Sequence, residues 1–187
     1  PECKIIVGGA NAPDSDITYF NDKPYIDYLI HQEGEISFLG LLKSFIGEQD
    51  EEKVPGISIN RNGERITTGK SVRVNDLTDV PSPYLTGLFD NIVAKYGNRD
   101  DMTLNGIIET NRGCPFHCTF CADGKDEVNQ VNSFSLQRVI EELEYITKHK
   151  HDKTHNMIFS DLNFGMYPQD RITCELLLES NKKNRRF

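Results

Sequence analysis

The second half of the sequence alternates strand and helix patterns, and this alternation is the feature that most constrains the fold. Residues 105–110 (NGIIET) and 156–161 (NMIFSD) are short apolar segments that predict strands. Residues 135–150 have helical spacing with Ser135 as the N-cap, and another helix is predicted just after Pro168. A strand–loop–helix–strand–helix order predicts a parallel sheet with right-handed crossovers, whose functional loops follow the carboxyl ends of the strands.

The first half of the sequence predicts the end of a doubly wound α/β domain. Apolar runs at Lys4–Gly9 and Tyr25–Ile30 predict two buried strands, the first of which runs into a tight turn at paired glycines. Residues 33–47 predict an amphipathic helix that stops at Gly47. Two strands and a helix in this order are typical of α/β layers.

A hairpin and a linker are predicted between the two halves. Residues 56–68 have Asn62 and Gly63 at their centre, a pair that suits the tight turn with positive φ. Residues 74–85 contain two prolines and have no regular period, which indicates an extended linker. No element is assigned to residues 88–101.

The predicted elements start late in one α/β domain and stop at Phe187, where a further strand is expected. Two and a half β/α units do not close a parallel sheet or a barrel. We therefore expect the sequence to be a piece of a longer protein, cut at both ends. We also predict that these 187 residues have no activity alone.

Composition excludes several classes of protein. The net charge of −8 argues against nucleic acid as the partner, because phosphate binding needs clustered Lys and Arg. The apolar runs are far shorter than the roughly 20 residues of a membrane-spanning helix, and the N-terminus has no signal-peptide pattern. The five cysteines are an odd number, and three of them are crowded together, which indicates a metal site in a reducing compartment. We therefore expect a cytoplasmic protein.

The crowded cysteines are Cys114, Cys118 and Cys121, on the loop that follows the strand at residues 105–110. A structural zinc site takes four ligands, usually from paired Cys-x2-Cys units, and only one such pair is present. Cys174 has a helical, apolar context that predicts a small buried side chain rather than a ligand. An iron–sulfur cluster fits better, because three thiolates leave one iron open for chemistry.

The segment RGCPFHCTFC resembles the signature of the radical S-adenosylmethionine (SAM) superfamily, with Phe120 as its aromatic residue. The resemblance implies that Cys114, Cys118 and Cys121 ligate a [4Fe–4S] cluster whose open iron is chelated by SAM. The reduced cluster then cleaves SAM to a 5′-deoxyadenosyl radical. Phe120 is implied to present its backbone and ring near the adenine. Arg112 either offsets the negative charge of the cluster or pairs with Glu109 or another surface acid, and the pairing is the favoured interpretation.

The segments KIIVGGANAP, DVPSPYL and FSDLNFG are similar, in order, to landmarks of radical SAM enzymes that carry a cobalamin-binding domain. The resemblance implies that Gly8 and Gly9 approach the cobalamin nucleotide tail, although an ordinary tight turn explains them equally well. Many radical SAM enzymes receive the SAM amino group with a Gly-Gly-Glu motif at the end of the second barrel strand. This sequence has Asp161 and Asn163 at the matching place, and a carboxylate there suits an ammonium group. An ordinary turn residue explains Asn163 equally well.

The implied fold class is α/β, with the C-terminal tail of a Rossmann-like cobalamin-binding domain, a linker with a β-hairpin, and the first units of a partial (β/α) radical SAM barrel. The implied domains are residues 1–47, the linker 48–103, and the barrel part 104–187. The implied function is cobalamin-dependent methylation of an unactivated carbon. Radical oxidation, cyclisation or sulfur insertion without methylation is the alternative enzyme. A non-catalytic metal-binding or electron-transfer module is the alternative from another class.

This function implies two partners. They are a small-molecule or biosynthetic-intermediate substrate and an electron donor such as flavodoxin or ferredoxin.

Overall fold

The chain folds into two units, Pro1–Asn75 and Asp76–Phe187, in the computed structural model. The structure describes residues 3–9, 12–13, 16, 18–97, 99–121, 124, 129–149 and 156–184. The α/β class predicted from the sequence is confirmed, since each unit combines helices with strands. The division into residues 1–47, 48–103 and 104–187 stays a prediction.

The first unit contains a mixed four-stranded sheet with the strand order β1-β2-β3-β4. Strands β1 and β2 run parallel, with Ile6 opposite Tyr28, and the remaining neighbours are antiparallel. The predicted strands at both places are confirmed, although the paired parts are shorter. The bounds are β1 Ile6–Val7, β2 Tyr28–Ile30, β3 Ile57–Arg61 and β4 Glu64–Thr67.

Helices cover both faces of this sheet. Helix α1 (Tyr19–Asp22) buries Phe20 against Leu29 of β2. Helix α2 (Glu35–Phe45) buries Leu41 against the opposite face of the sheet, on the same side as Tyr28 and Ile30 of β2. Successive residues of β2 therefore enter two different apolar clusters, as the alternation of side chains along a strand requires. The members of the second cluster are Tyr28, Ile30, Leu41, Val54, Ile57 and Ile59.

The predicted hairpin is confirmed and has a structural role beyond that of a linker. Asn62 and Gly63 both have positive φ, 55° and 92°, as a tight turn between β3 and β4 requires. The sequence prediction assigned this hairpin to the linker, but β3 pairs with β2 through three residue pairs. The reason is that β3 supplies Ile57 and Ile59 to the same buried cluster as β2.

The second unit is organised around the parallel pair β5 (Gly106–Ile108) and β8 (Met157–Phe159). Helix α4 (Leu136–Lys148) connects them and buries Val139 and Leu143. The predicted strand–loop–helix–strand order and the parallel pairing are thus confirmed. Helix α5 (Pro168–Asn184) follows β8, as predicted from Pro168.

The predicted N-cap of α4 is also confirmed. Ser135 accepts a hydrogen bond from the backbone N–H of Arg138 at 3.3 Å. The Arg138 side chain pairs with Glu142 at 2.9 Å and donates to the backbone carbonyls of Leu77 and Val80. Helix α4 therefore holds the start of the second unit, where Leu77–Asp79 form a single 3-10 turn.

Tyr84 covers the outer edge of β5. Its hydroxyl group accepts a hydrogen bond from the backbone N–H of Ile107 at 3.0 Å and donates one to the Ile107 carbonyl at 2.6 Å. These two backbone groups point away from β8, because the neighbouring Ile108 carbonyl is the one that accepts from Ser160. A side chain therefore satisfies the groups that a neighbouring strand would otherwise use.

Helices α1 and α3 and the strand pair of the cysteine loop have no counterpart in the sequence prediction. Helix α3 (Asp90–Tyr96) lies in the segment that was left unassigned. A short antiparallel pair joins β6 (Asn111–Arg112) to β7 (Asn132–Ser133) across the cysteine loop.

Among the residues that the structure describes, no helix is both long and apolar enough to cross a membrane.

Candidate functional site

The three crowded cysteines lie on the loop that follows β5 and β6, at the carboxyl end of the parallel pair. Gly113 precedes them with φ of 110°. A residue with a side chain would be strained in this conformation, so the position requires glycine. Cys114 is half-buried, whereas Cys118 and Cys121 are exposed. Sequence reasoning missed Gly113, although a glycine directly before the first cysteine was a visible signal.

Asp161, at the end of β8, fixes the base of this loop. Its Oδ1 atom accepts hydrogen bonds from the backbone N–H groups of Thr110 at 2.8 Å and Asn111 at 2.5 Å, and from the Thr110 hydroxyl at 3.1 Å. Its Oδ2 atom is buried and has no hydrogen-bond partner among the described residues. The sequence prediction gave Asp161 to the SAM amino group. The structure gives one of its oxygens a positioning role that sequence reasoning missed.

Burial raises the pKa of Asp161 above its ordinary value. The hydrogen bonds from Asn111 and Thr110 act in the opposite direction, because they favour the charged carboxylate. The nearby charge of Asp170 raises the pKa further. The desolvation of the carboxylate is the largest of these effects.

A second contact stiffens the start of the loop. Arg112 pairs with Glu109, with Nη2 to Oε2 at 2.9 Å and Nε to Oε1 at 3.1 Å. The predicted pairing of these two side chains is thus confirmed. It joins β6 to the residue that follows β5 and has two parallel hydrogen bonds, the geometry in which Arg binds a carboxylate best.

Asn163 contacts the first cysteine. Its Nδ2 atom lies 3.0 Å from Cys114 Sγ. The residues around Asn163 are firmly held: Asp170 accepts hydrogen bonds from the backbone N–H groups of Gly165 and Tyr167. Phe164 stacks on Phe159 of β8, with 4.1 Å between the ring centroids. The contact joins positions 49 residues apart in sequence, so no local pattern predicts it.

Gly124 is another site residue that sequence reasoning missed. The backbone N–H groups of Cys121 and Gly124 donate to the carbonyls of Cys118 and Cys121, so two successive turns follow Cys118. A β-carbon at Gly124 would lie 2.4 Å from the Cys118 carbonyl oxygen, which is closer than any side chain tolerates. Only glycine therefore lets the chain pass so close to Cys118.

The three thiols suit an iron–sulfur cluster in their chemistry, since soft thiolates select iron–sulfur clusters, zinc or copper(I). The part of the chain that the structure describes does not gather three His, Cys, Asp or Glu side chains into a formed metal site. Phe120 is 91% exposed on the same loop. The roles given to Phe120 and to the three cysteines therefore stay predictions.

The paired glycines of the first unit directly follow β1. The backbone N–H of Ala12 donates to the Gly9 carbonyl at 2.9 Å, which fits the tight-turn interpretation. Gly9 has φ of 87°, and no described atom lies within 4 Å of where its β-carbon would stand. This open backbone leaves room for a ligand to approach, so the turn fits the cobalamin prediction. A β-carbon on Gly8 would make only ordinary contacts with Ile30, so Gly8 is not sterically required.

Arg65 of β4 holds the loop that follows these glycines. Its guanidinium donates to the backbone carbonyls of Asp16 at 2.5 Å and Pro13 at 3.2 Å. Its Nε donates to the Ser58 hydroxyl at 2.9 Å, which anchors the side chain to β3. The hairpin thus fixes a loop at the carboxyl end of β1, where open α/β sheets bind ligands.

The sequence prediction for Cys174 is wrong. Cys174 is exposed on α5, whereas the preceding Thr173 is fully buried. Adjacent helix positions differ by about 100° around the axis, so the buried face of α5 ends before Cys174.

Comparisons with known proteins agree with this arrangement. The chain is 34% identical over 181 residues to the cobalamin-dependent radical SAM methyltransferase TokK of Streptomyces tokunonensis, which covers 96% of this chain and 26% of the relative. It is 34% identical over 171 residues to the 2-(S-pantetheinyl)-carbapenam-3-carboxylate methyltransferase of Streptantibioticus cattleyicolor, covering 91% of this chain and 24% of the relative. The chain therefore spans about a quarter of the length of these curated relatives.

The fold is also similar to that of a solved structure. The cobalamin-dependent S-adenosylmethionine radical enzyme OxsB, with aqua-cobalamin and S-adenosylmethionine bound, matches with a TM-score of 0.66 and 24% identity. The match covers 96% of this chain and 24% of that chain. No protein-family model matches the sequence. The similarity to these relatives extends across nearly the whole chain and includes the cysteine loop that follows β5 and β6, so the chain resembles about a quarter of a cobalamin-dependent radical SAM methyltransferase.

Proposed function

We propose that the protein is a radical SAM enzyme in which Cys114, Cys118 and Cys121 hold a [4Fe–4S] cluster with one iron open to SAM. The observation that supports this proposal best is the position of the three thiols on a single loop at the carboxyl end of β5. Active sites of parallel α/β folds lie at this end. When bound, the reduced cluster supplies the electron that cleaves SAM.

The chain's own residues prepare this site. Asp161 and the Glu109–Arg112 pair hold the segment before Cys114, so Cys114 is the most firmly positioned of the three ligands. Cys118 and Cys121 are exposed in the turns beyond it. The exposed ring and backbone of Phe120 are available to adenine.

Cobalamin is the second proposed cofactor. Gly9 offers open backbone after the carboxyl end of β1, and Arg65 donates to the Pro13 and Asp16 carbonyls beyond it. We assign the cobalamin nucleotide tail to this turn. A nucleotide tail approaches backbone closely only where no β-carbon intervenes, which favours glycine.

The proposed reaction is methylation of an unactivated carbon in a small-molecule substrate, with an electron donor of the flavodoxin or ferredoxin type. Both curated relatives named above are methyltransferases, which supports methylation over radical oxidation or cyclisation. Protein groups in such an enzyme position the cofactors and exclude water, and the cofactors supply the reactivity.

Anaerobic reconstitution with iron and sulfide tests the proposal. The full chain is expected to show the absorption and electron paramagnetic resonance spectra of a [4Fe–4S] cluster, and the resonance is expected to shift when SAM is added. Cys118→Ala removes one of three ligands and is expected to abolish the cluster. Cys174→Ala, an exposed cysteine on α5, is the matched control and is expected to leave the iron content unchanged.

The products separate the alternatives. In an active enzyme that contains these residues, methylation converts SAM to S-adenosylhomocysteine as well as to 5′-deoxyadenosine and methionine, whereas radical oxidation forms 5′-deoxyadenosine and methionine without S-adenosylhomocysteine. A colourless protein that binds zinc, and whose spectrum does not respond to SAM, would contradict the proposal and favour the metal-binding module.

A further inference from the structure

We propose that Asn163 donates an N–H hydrogen bond to the Cys114 thiolate and thereby raises the reduction potential of the cluster, so that Asn163 acts as a positioning and tuning residue rather than as a ligand of SAM. This inference rests on the proposed function. It reassigns a residue for which sequence resemblance implied contact with the SAM amino group.

The geometry supports a donor at this position. Asn163 Nδ2 lies 3.0 Å from Cys114 Sγ, within hydrogen-bond reach of sulfur. A thiolate that ligates iron has no proton to donate, so the amide NH2 is the part of Asn163 that faces it favourably. The Nδ2 atom that faces Cys114 cannot accept a hydrogen bond from an ammonium, so only Oδ1 of Asn163 could do so.

Both partners of this contact are held in place. On one side, Asp161 and the Glu109–Arg112 pair fix the segment that leads into Cys114. On the other side, the Asp170 carboxylate accepts from the backbone N–H groups of Gly165 and Tyr167. The stacked ring of Phe164 holds the residue next to Asn163 against β8. A contact between two such fixed segments is pre-organised and persists without a large entropic cost.

The electrostatic consequence has a definite sign. One-electron reduction adds a negative charge to the cluster, part of which is carried by the sulfur ligands. An N–H dipole that points at one of these sulfurs stabilises the added charge, so reduction becomes easier. Hydrogen bonds to sulfur are among the established determinants of iron–sulfur potentials, and partners of metal ligands commonly tune the metal.

Three variants of Asn163 test this inference in the reconstituted full chain. Asn163→Leu keeps the approximate volume and removes the donor, Asn163→Asp replaces the donor with an acceptor, and Asn163→Gln keeps the donor. The midpoint potential is measured without SAM by a redox titration followed by electron paramagnetic resonance. We expect a more negative potential in Asn163→Leu, a still more negative one in Asn163→Asp, and the smallest change in Asn163→Gln.

The SAM dissociation constant supplies the second readout. We expect Asn163→Leu to bind SAM within about twofold of wild type, because the lost contact is to Cys114. The matched control is Leu162→Ala, since Leu162 is 49% exposed on the same loop. It is expected to change neither value.

Each other outcome has a distinct meaning. An unchanged potential in Asn163→Leu, or a tenfold loss of SAM affinity at an unchanged potential, would overturn the inference and return Asn163 to SAM binding. If Asn163→Leu assembles no cluster, Asn163→Gln must assemble one for the inference to survive. A wild-type protein that takes up no [4Fe–4S] cluster would overturn the proposed function itself, together with this inference.

Discussion

Asp161 combines two demands that usually conflict in a carboxylate. It accepts three hydrogen bonds through Oδ1, and its Oδ2 is buried with no partner among the described residues. The result is a raised pKa, because the loss of hydration outweighs the hydrogen bonds. The cysteine loop is therefore held by a group whose charge is unfavourable where it lies.

A pH prediction follows for Asp161. Since its pKa is higher in the folded than in the unfolded state, the native state binds the proton more tightly. Its contribution to the free energy of unfolding is complete below the unfolded pKa of about 3.9 and is lost as the pH rises through the folded pKa. The stability of wild type minus that of Asp161→Asn is therefore expected to fall from acid toward neutral pH. Urea unfolding of both cluster-free proteins across this range measures the difference.

Titrating groups that do not interact with Asp161 are common to both proteins, so their effects cancel in this difference. A difference that stays constant with pH, or grows as the pH rises, would contradict the predicted direction.

At the scale of single elements, the hairpin β3–β4 links the sheet to the turn that we assign to cobalamin. Arg65 bonds to two backbone carbonyls of the loop after Gly9 and is itself anchored on Ser58. Because every residue has a backbone carbonyl, these hydrogen bonds from Arg65 restrain the path of the backbone and do not depend on a particular side chain.

Replacement of Arg65 by Gln is expected to loosen this loop. Loss of its hydrogen bonds is worth about 1–2 kcal/mol, so amide exchange in peptides that cover residues 9–18 is expected to be roughly tenfold faster. Hydrogen exchange followed by mass spectrometry measures this effect. Arg61→Gln is the matched control, because Arg61 lies on the same hairpin and pairs instead with Glu51. Equal exchange in the two variants would show that Arg65 does not hold the loop.

Local patterns in the sequence predict most elements but not their long-range partners. The Asn62–Gly63 turn and the Ser135 cap are local chemistry, and both are present in the structure. The pairing of the hairpin with β2 depends on a shared apolar cluster that joins residues far apart in sequence. Helix α3 was not predicted because it has only seven residues, in a segment of mixed composition. About two turns are too few to show the helical spacing of apolar residues.

The same distinction applies to the candidate site. The spacing of Cys114, Cys118 and Cys121 is visible in the sequence, and so is its position after a strand. The contacts of Asp161 and Asn163 with the cysteine loop span about 50 residues and depend on the parallel pairing of β5 and β8. The steric need for glycine at position 124 likewise depends on the path of the folded backbone.

At the scale of the whole molecule, the two proposed cofactor sites belong to different units. The glycine turn lies in Pro1–Asn75 and the cysteine loop in Asp76–Phe187. Each unit has its own sheet, so the loss of one cofactor is not expected to unfold the other site.

A pair of variants tests this independence. Cys118→Ala is expected to lose the cluster and to bind aquacobalamin with wild-type affinity. Gly9→Val is expected to weaken cobalamin at least tenfold, because a β-branched residue is strained at φ of 87°, while the iron content stays at the wild-type level. Iron analysis and the visible spectrum of bound cobalamin provide the two readouts. Loss of both cofactors in either variant would contradict the independence of the two sites.

The hydroxyl group of Tyr84 determines at which edge the β5–β8 sheet of the second unit can pair with a further strand. It forms hydrogen bonds with the backbone N–H and carbonyl of Ile107 on the outer side of β5. Another strand could pair there only by displacing the Tyr84 hydroxyl from these groups. Open strand edges invite intermolecular pairing, and a side chain that occupies such an edge discourages it. Among the described residues, β8 pairs only with β5, so an additional strand is directed to the other side of β8. Tyr84 thus blocks strand pairing on the outer side of β5, which keeps β5 at the edge of its sheet.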